Sequence, residues 1–390
     1  MTSPFMQIVN PGGLTDWHQA LRGRARAQAT AVVFSDSIGE GDYAGTPIYQ
    51  NRWIGRLQTA LRAAHPTPGT DGTAPGFMPG YYADGLLADE TTRSGGGTFT
   101  EQSWIWGPGG KALGIPGTST GTVTFPAFTI TSFRVWYGKT NFLGGTGRAR
   151  VDTVNQTPTM NGSAGAKSDG HYQDYAVTAG AHVVDIQNTA TSSQFFLDGV
   201  QFFNGDEDRG VHIIDGTHSG MNSTHLIQSS MDPMWAGFFQ AMKPRLFVIA
   251  LGSNDYNSRT AAEYLANIDT LLGKIETAMG ALPYSVALVQ PYHPGNAWNS
   301  QVWADMMTGL AARATGDVAS IDIQQAWPNL IPDGSTNSSL MYESTSAVHP
   351  NAAGHARYAE LMTDALSLPE SRTTHSGPTY LPGNTKARLP

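Results

Sequence analysis

Short apolar runs recur along the chain, each stopping on a polar turn, and most are followed by a stretch of helical period. The run Ala31, Val32, Val33, Phe34 is uncharged and partly β-branched, the pattern of a strand buried on both faces. It stops on Ser35-Asp36-Ser37-Ile38, with Gly39 and Gly41 turning the backbone away. Before it, residues 16–29 place Trp17, Leu21 and Ala25 at helical spacing, a short docking helix. After it, residues 49–64 carry Trp53, Ile54, Leu57, Leu61 and Ala64 at i, i+3 and i+4, and Pro66 closes that helix. Residues 67–97 are Gly- and Pro-rich and read as loop, with Phe77, Tyr81 and Tyr82 as anchors.

From about 98 to 203 the period changes to two. Segments 131–137, 148–152 and 182–186, separated by Gly-rich turns, predict half-buried antiparallel strands. Flanked by α/β pattern on both sides, they predict an inserted, jelly-roll-like antiparallel β-sandwich. Trp104, Trp106 and Trp136 lie in it; filling its core is the reading preferred over stacking against sugars. The α/β rhythm then resumes, with strands at 211–215, 245–251, 284–289 and 318–323. Helices are predicted over 221–228, 260–279, 298–314 and 351–366. The second opens on a Thr260/Glu263 capping box and carries a stripe of Leu265, Ile268, Leu272 and Ile275. Five strands with interleaved helices predict an α/β three-layer sandwich around a central parallel sheet. Residues 1–97 and 204–368 would form this discontinuous unit, 98–203 the insertion, and 369–390 a polar, Pro-containing tail. Excising 98–203 is expected to leave the α/β core folded.

Composition narrows the picture. A chain of 390 residues is long enough for a sizeable core with an insertion, and its 45 Gly and 23 Pro fit a loop-rich, β-containing fold. The formal net charge is -8 with no Lys/Arg cluster, which argues against a nucleic-acid partner. No apolar run approaches the roughly 20 residues of a membrane span. The first residues lack the basic and apolar regions of a secretory signal. Cysteine is absent, so there are no disulfides and no thiolate metal site.

Candidate chemistry sits at the strand ends. Ser37 follows the first strand, Gly220 the second and Leu251-Gly252-Ser253-Asn254-Asp255 the third, while Val348-His349-Pro350 precedes the last helix. Singly, each has a plain structural reading as a turn or helix cap. Together they supply a nucleophile, oxyanion donors and a late histidine in one crevice. In these residues the chain resembles the SGNH/GDSL hydrolase family: Ser35-Asp36-Ser37 stands for its first block, Gly220 for the second, Gly252-Ser253-Asn254-Asp255 for the third and His349-Pro350 for the last. The resemblance covers the α/β parts and implies a flavodoxin-like three-layer fold. It further implies that Ser37 attacks an ester carbonyl, that His349 takes and returns the proton, and that the Ser37 and Gly220 N–H groups and Asn254 hold the oxyanion, with no cofactor or metal.

Two departures stand out. Ser35 replaces the first glycine of block one, and Ser346 stands three before the histidine where the family has Asp. A hydroxyl there orients the imidazole without offsetting its charge; Glu343 is the alternative partner, and a Ser-His dyad what remains without either. His355, on the last helix, reads as structural, while His218, His225 and His293 are candidates to line the cleft. The expected activity is that of an esterase or deacetylase acting on acyl groups of a carbohydrate or cell-envelope polymer gripped by the insertion. By analogy with hydrolase modules of phage tails, the chain would sit on a virion tail if phage-encoded, and otherwise in the cytoplasm or exported non-classically, with room for virion or homo-oligomer contacts. The rival reading is a structural or receptor-binding virion protein whose hydrolase fold has weakened or lost activity.

Overall fold

The run Ala31 to Phe34 lies in the strand Gln28–Ser35, buried over seven of its eight residues, and its alternation decides what packs on each side. The computed structural model describes residues 6–70, 72–81, 90–141, 144–293, 300–324, 326–327, 340–342 and 348–369. The chain is a mixed α/β protein with several sheets. One sheet has six strands: β1 (Gln7–Val9), β2 (Gln28–Ser35), β3 (Gly210–Asp215), β4 (Leu246–Ala250), β5 (Ser285–Gln290) and β6 (Val318–Asp322), in the order β1-β6-β5-β4-β2-β3. Neighbours from β6 through β3 pair in parallel. The edge strand β1, absent from the sequence reading, pairs antiparallel with β6, so the sheet is mixed.

Ala31 and Val33 point to one face of this sheet, against Trp17, Leu21, Leu57, Leu61, Tyr358 and Met362. Val32 and Phe34 point to the other, against Tyr264, Ile268, Leu271, Trp303 and Met306. Helices Thr15–Gly23, Trp53–Ala64 and Ala352–Leu366 thus cover the first face, and Ala261–Met279 and Gln301–Ala312 the second. The Thr260/Glu263 capping box is formed.

Between β2 and β3 the chain builds two more sheets, mostly antiparallel. Their facing residues share a core: Val123, Ala149 and Ile186 from one meet Leu113, Ile130, Val135 and Leu197 from the other. Strands Gly76–Pro79 and Thr92–Ser94 belong to these sheets, so the loop-like reading of 67–97 fails there. Phe77 and Tyr81 are buried as anchors; Tyr82 lies outside the described residues. Trp136, wholly buried, packs on Phe238 with ring centroids 4.6 Å apart, in the cluster that covers Val32 and Phe34.

Three helices differ from their predicted spans. The first stops at Gly23, before Ala25. The second is interrupted at Arg52, whose extended backbone (φ -65°, ψ 155°) sends the guanidinium to Asp215 at 2.6 Å. Over 221–228 only a 3-10 turn forms, His225–Ile227. There the Asn222 side chain accepts from the Thr224 N–H (3.1 Å) and Asp255 from the Ser223 N–H (3.1 Å), and the turn stops where Gln228 becomes extended (φ -60°, ψ 146°).

Candidate active site

Ser37 opens a one-turn helix, Ser37–Glu40, at the carboxyl end of β2. Asp36 caps it, its Oδ1 accepting from the Ile38 N–H at 3.0 Å. The turn is tight enough to require Gly39: a Cβ there would lie 2.4 Å from Ser35 Cβ and 2.7 Å from Thr217 Cγ2. Ser35 itself stays in the strand and outside the left-handed region, so it takes the family glycine's place without strain.

His349 faces this serine. Its Nε2 lies 2.8 Å from Ser37 Oγ. The loop that carries it is pinned by an antiparallel bridge between Met341 and Pro350 and by the Tyr292 hydroxyl, which donates to the Val348 carbonyl. Asn351 then caps the last helix, accepting from the Ala353 and Gly354 N–H groups at 2.9 and 3.1 Å. Ser346 and Glu343, the two expected partners of the imidazole, lie outside the described residues.

A carboxylate that sequence reasoning missed lies beside the same nitrogen. Asp42 Oδ2 is 3.6 Å from His349 Nε2, the nitrogen that faces Ser37. Gly41, at φ 108°, turns the chain so that the Asp42 N–H reaches back to the Ser37 carbonyl at 3.2 Å. The signal available in sequence was this left-handed glycine just after the nucleophile helix. Tyr43 follows, its ring 5.5 Å from that of His349 and stacked at 3.7 Å on Tyr342.

The second and third loops are tied to the first. The His218 N–H donates to the Ser35 carbonyl (3.0 Å), and the Ser219 N–H to the Glu40 carboxylate. Gly220 then adopts φ 75° with nothing within 4 Å of where a Cβ would stand, so glycine is required there by conformation and not by space. Asn254 Nδ2 donates to the Met221 carbonyl at 3.0 Å, which ties the Asn amide to the Gly220 loop. Asp255 is wholly buried, accepting from Ser223 and paired with Arg259 Nε at 3.2 Å. Burial pushes the Asp36 carboxyl up to about 7; the Ile38 N–H and Ser253 hydroxyl oppose this and the Asp255 carboxylate adds to it.

Of the other histidines, His218 and His225 sandwich Trp104, at centroid distances of 3.9 and 3.8 Å. Trp104 thus leaves the core that was expected for it and stands beside the Gly220 loop. Burial pushes the His218 imidazole down to about 4; its Nδ1 donates to the Ser219 carbonyl (2.8 Å), which leaves Nε2 to accept from the Tyr81 hydroxyl (3.2 Å). His293 packs near Trp303, 5.6 Å between centroids. His355 is buried, with Nδ1 accepting from the Trp53 N–H (3.3 Å) and Nε2 donating to the Asp42 carbonyl (3.0 Å). A cavity of about 820 Å³, lined by Tyr49, Gln58, Arg62, Thr67, Asp206 and Val211 among others, includes none of Ser37, Gly220, Asn254 or His349. Among the described residues no cluster of His, Asp and Glu has the arrangement of a metal site, and no helix is long and apolar enough to cross a membrane.

Comparison with known proteins was made on this geometry. Residues 204–357 match the model of the GDSL-like lipase/acylhydrolase family, a span that carries Gly220, Asn254 and His349. The structure of a peptidoglycan O-acetylesterase superposes with a TM-score of 0.67 at 14% identity, covering 92% of this chain and 97% of that one, and so shares the fold. A family two carbohydrate esterase from Cellvibrio japonicus (TM-score 0.32, 13% identity, 71% and 96% coverage) is more distant. So is a salicylyl-acyltransferase from a tetracycline biosynthetic pathway (0.34, 12%, 70% and 93%). No curated protein sequence matches the chain. Residues 204–357 thus carry a domain of the GDSL-like lipase/acylhydrolase family, and the fold of an esterase is shared along nearly the whole chain; both support a carboxylic ester hydrolase.

Proposed function

We propose that the chain is a serine esterase that removes acyl groups from a carbohydrate or cell-envelope polymer, with Ser37 as nucleophile and His349 as general base. The 2.8 Å approach of Ser37 Oγ to His349 Nε2 carries this reading. As Oγ attacks the ester carbonyl, its proton passes to Nε2, and the tetrahedral intermediate collapses when that proton is handed to the leaving alcohol. Water, deprotonated by the same nitrogen, then frees the acyl group. The Ser37 N–H, the Gly220 N–H and Asn254 Nδ2 are the oxyanion donors in this reading; with one amide hydrogen on the Met221 carbonyl, Asn254 has its other free for the substrate. Asp42 attracts the imidazolium formed during attack, and Ser346 or Glu343 remains the ring's expected partner from the sequence. No cofactor takes part.

The substrate class rests on two supports. A peptidoglycan O-acetylesterase shares the fold along almost the whole chain. Trp104, from the segment read as an inserted sandwich, stands against the loop that carries Gly220. That sandwich is best bounded at about residue 76, where its first strand pairs with Phe195–Phe203. The test is to label the protein with a fluorophosphonate, locate the adduct by mass spectrometry, and measure acetate release from O-acetylated peptidoglycan and from an acetylated plant polysaccharide. An adduct on Ser37 that Ser37→Ala abolishes, with acetate released from one polymer, is expected. Labelling elsewhere, or none, sinks the assignment.

A further inference from the structure

Four ionisable side chains lie buried beneath the nucleophile turn: Glu40 and Lys111 with no exposed surface, Asp215 at 1% and Arg52 at 3%. Three come from the α/β part. Lys111 comes from the strand Lys111–Ile115 of the β-rich segment. Its Nζ is 3.5 Å from Glu40 Oε1, 3.3 Å from Asp215 Oδ2 and 3.4 Å from Thr217 Oγ1. Arg52 Nη1 meets Asp215 Oδ2 at 2.6 Å, and Asp215 Oδ1 accepts from the Thr217 N–H and hydroxyl at 2.8 and 2.6 Å. Among the described residues two basic groups thus stand against two acidic ones, the condition under which burying them is tolerable.

Glu40 divides its carboxylate between two duties. One oxygen takes Lys111, and the other takes the N–H of Ser219, the residue before Gly220. Glu40 is also the last residue of the helix that Ser37 opens, so a single side chain ties the nucleophile turn to the second loop. The lysine is delivered by a close dock. The turn Pro108–Gly110 lies on the backbone of Gly216 and Thr217, where a Cβ on Gly109 would fall 2.4 Å from the Gly216 carbonyl oxygen.

We propose that Lys111 is a positioning residue for ester hydrolysis: by holding one oxygen of Glu40 it aims the other at Ser219, and so sets the Ser219-Gly220 turn where the Gly220 N–H meets the oxyanion. The proposal rests on the assignment of Gly220 and Ser37 above. The β-rich segment thereby contributes to the rate on any ester, however small, and not only to the grip on a polymer. A donor displaced from the oxyanion costs rate without changing the binding of the uncharged ester, so kcat falls and KM holds.

The experiment measures p-nitrophenyl acetate hydrolysis and thermal unfolding for the full chain, for Lys111→Met and for the double variant Glu40→Gln with Lys111→Met. Lys111→Met is expected to lower kcat about 10- to 100-fold with KM within about twofold. It also leaves two carboxylates against one guanidinium and lowers the melting temperature. The double variant removes one charge of each sign, so its melting temperature recovers. A purely structural lysine would then see kcat recover as well; the positioning role has kcat stay low, because a glutamine without the ammonium is not aimed. Should Lys111→Met fail to fold, the double variant alone decides. Wild-type kcat in either folded variant overturns the proposal. Fluorophosphonate labelling of the wild-type chain separates the two levels: absence of an adduct on Ser37 takes down the serine esterase reading and this one with it, whereas labelled wild type with unaffected variants takes down only this one.

Discussion

At the scale of single residues, the candidate site is a serine 2.8 Å from a histidine, with the Asp42 carboxylate 3.6 Å from the same nitrogen. Asn254→Ala removes one oxyanion donor and is expected to lower kcat by roughly 10²- to 10³-fold with an unchanged fold. An unaltered rate, measured on a small ester, removes Asn254 from the site. Asp42 sits 3.6 Å from His349 Nε2 with its side chain 18% exposed, so its attraction for the imidazolium is partly screened. Asp42→Asn is expected to cost roughly tenfold in kcat, about 1.4 kcal/mol, and to leave KM in place. Asp36 makes a prediction about pH. Its folded carboxyl is raised to about 7, whereas the unfolded chain gives up that proton at about 4. Between those values the folded chain binds more protons, so the stability contributed by Asp36 is full below about 4 and is lost as pH rises through 7. Asp36→Asn keeps the acceptor for the Ile38 N–H and removes the titration. Urea melts at pH 5 and pH 8 should show the variant gaining on wild type as pH rises; a constant difference sinks the argument.

At the scale of elements, what was legible in the sequence was whatever depended on neighbours along the chain. The apolar runs of β3 through β6, the Thr260/Glu263 box and the last helix, predicted over 351–366, are local patterns, and they appear within a residue or two of where the pattern put them. Thr260→Ala tests the box in isolation: stability should fall by about 1 kcal/mol in urea melts, and kcat should not move. Ser37 and Asn254 were visible in the polar turns at which runs stop, Gly220 in the turn past the second strand and His349 in the turn before the last helix. What failed depended on partners far away. Arg52 breaks a helix of good period because Asp215, 163 positions on, claims its guanidinium. Residues 221–228 stop at one 3-10 turn, anchored by Asp255, whose carboxylate lies 32 positions from the Ser223 N–H that it accepts. Nothing local announces the burial of Lys111, since its counter-charges are 71 and 104 positions away. Trp104 was assigned to a core because nothing local announces the two imidazoles that flank it.

At the scale of the whole molecule, the question is whether the β-rich segment is a passenger on the α/β part or a portion of its core. Periodicity alone favours a passenger, since the pattern changes cleanly near 98 and back near 203. The packing favours a portion. Trp136 is buried in the same cluster as Val32, Phe34 and Phe247, on one face of the six-stranded sheet. Phe77, also in that cluster, belongs to a strand whose pairing partner is Phe195–Phe203. Lys111 supplies one of the two cations that neutralise Glu40 and Asp215. Replacing 98–203 by a short linker therefore empties a tryptophan-sized volume, an excision whose apolar part alone costs about 3–5 kcal/mol, and takes the Lys111 ammonium from beside two buried carboxylates, which costs a similar amount. Together these approach the whole stability of a typical protein of about 5–15 kcal/mol. The excised chain should show no cooperative unfolding transition by circular dichroism and no turnover of p-nitrophenyl acetate. A sharp transition near that of the full chain, with the small ester still hydrolysed at the wild-type rate, would mean that the face under Trp136 closes over by itself and that Glu40 finds another way to hold Ser219.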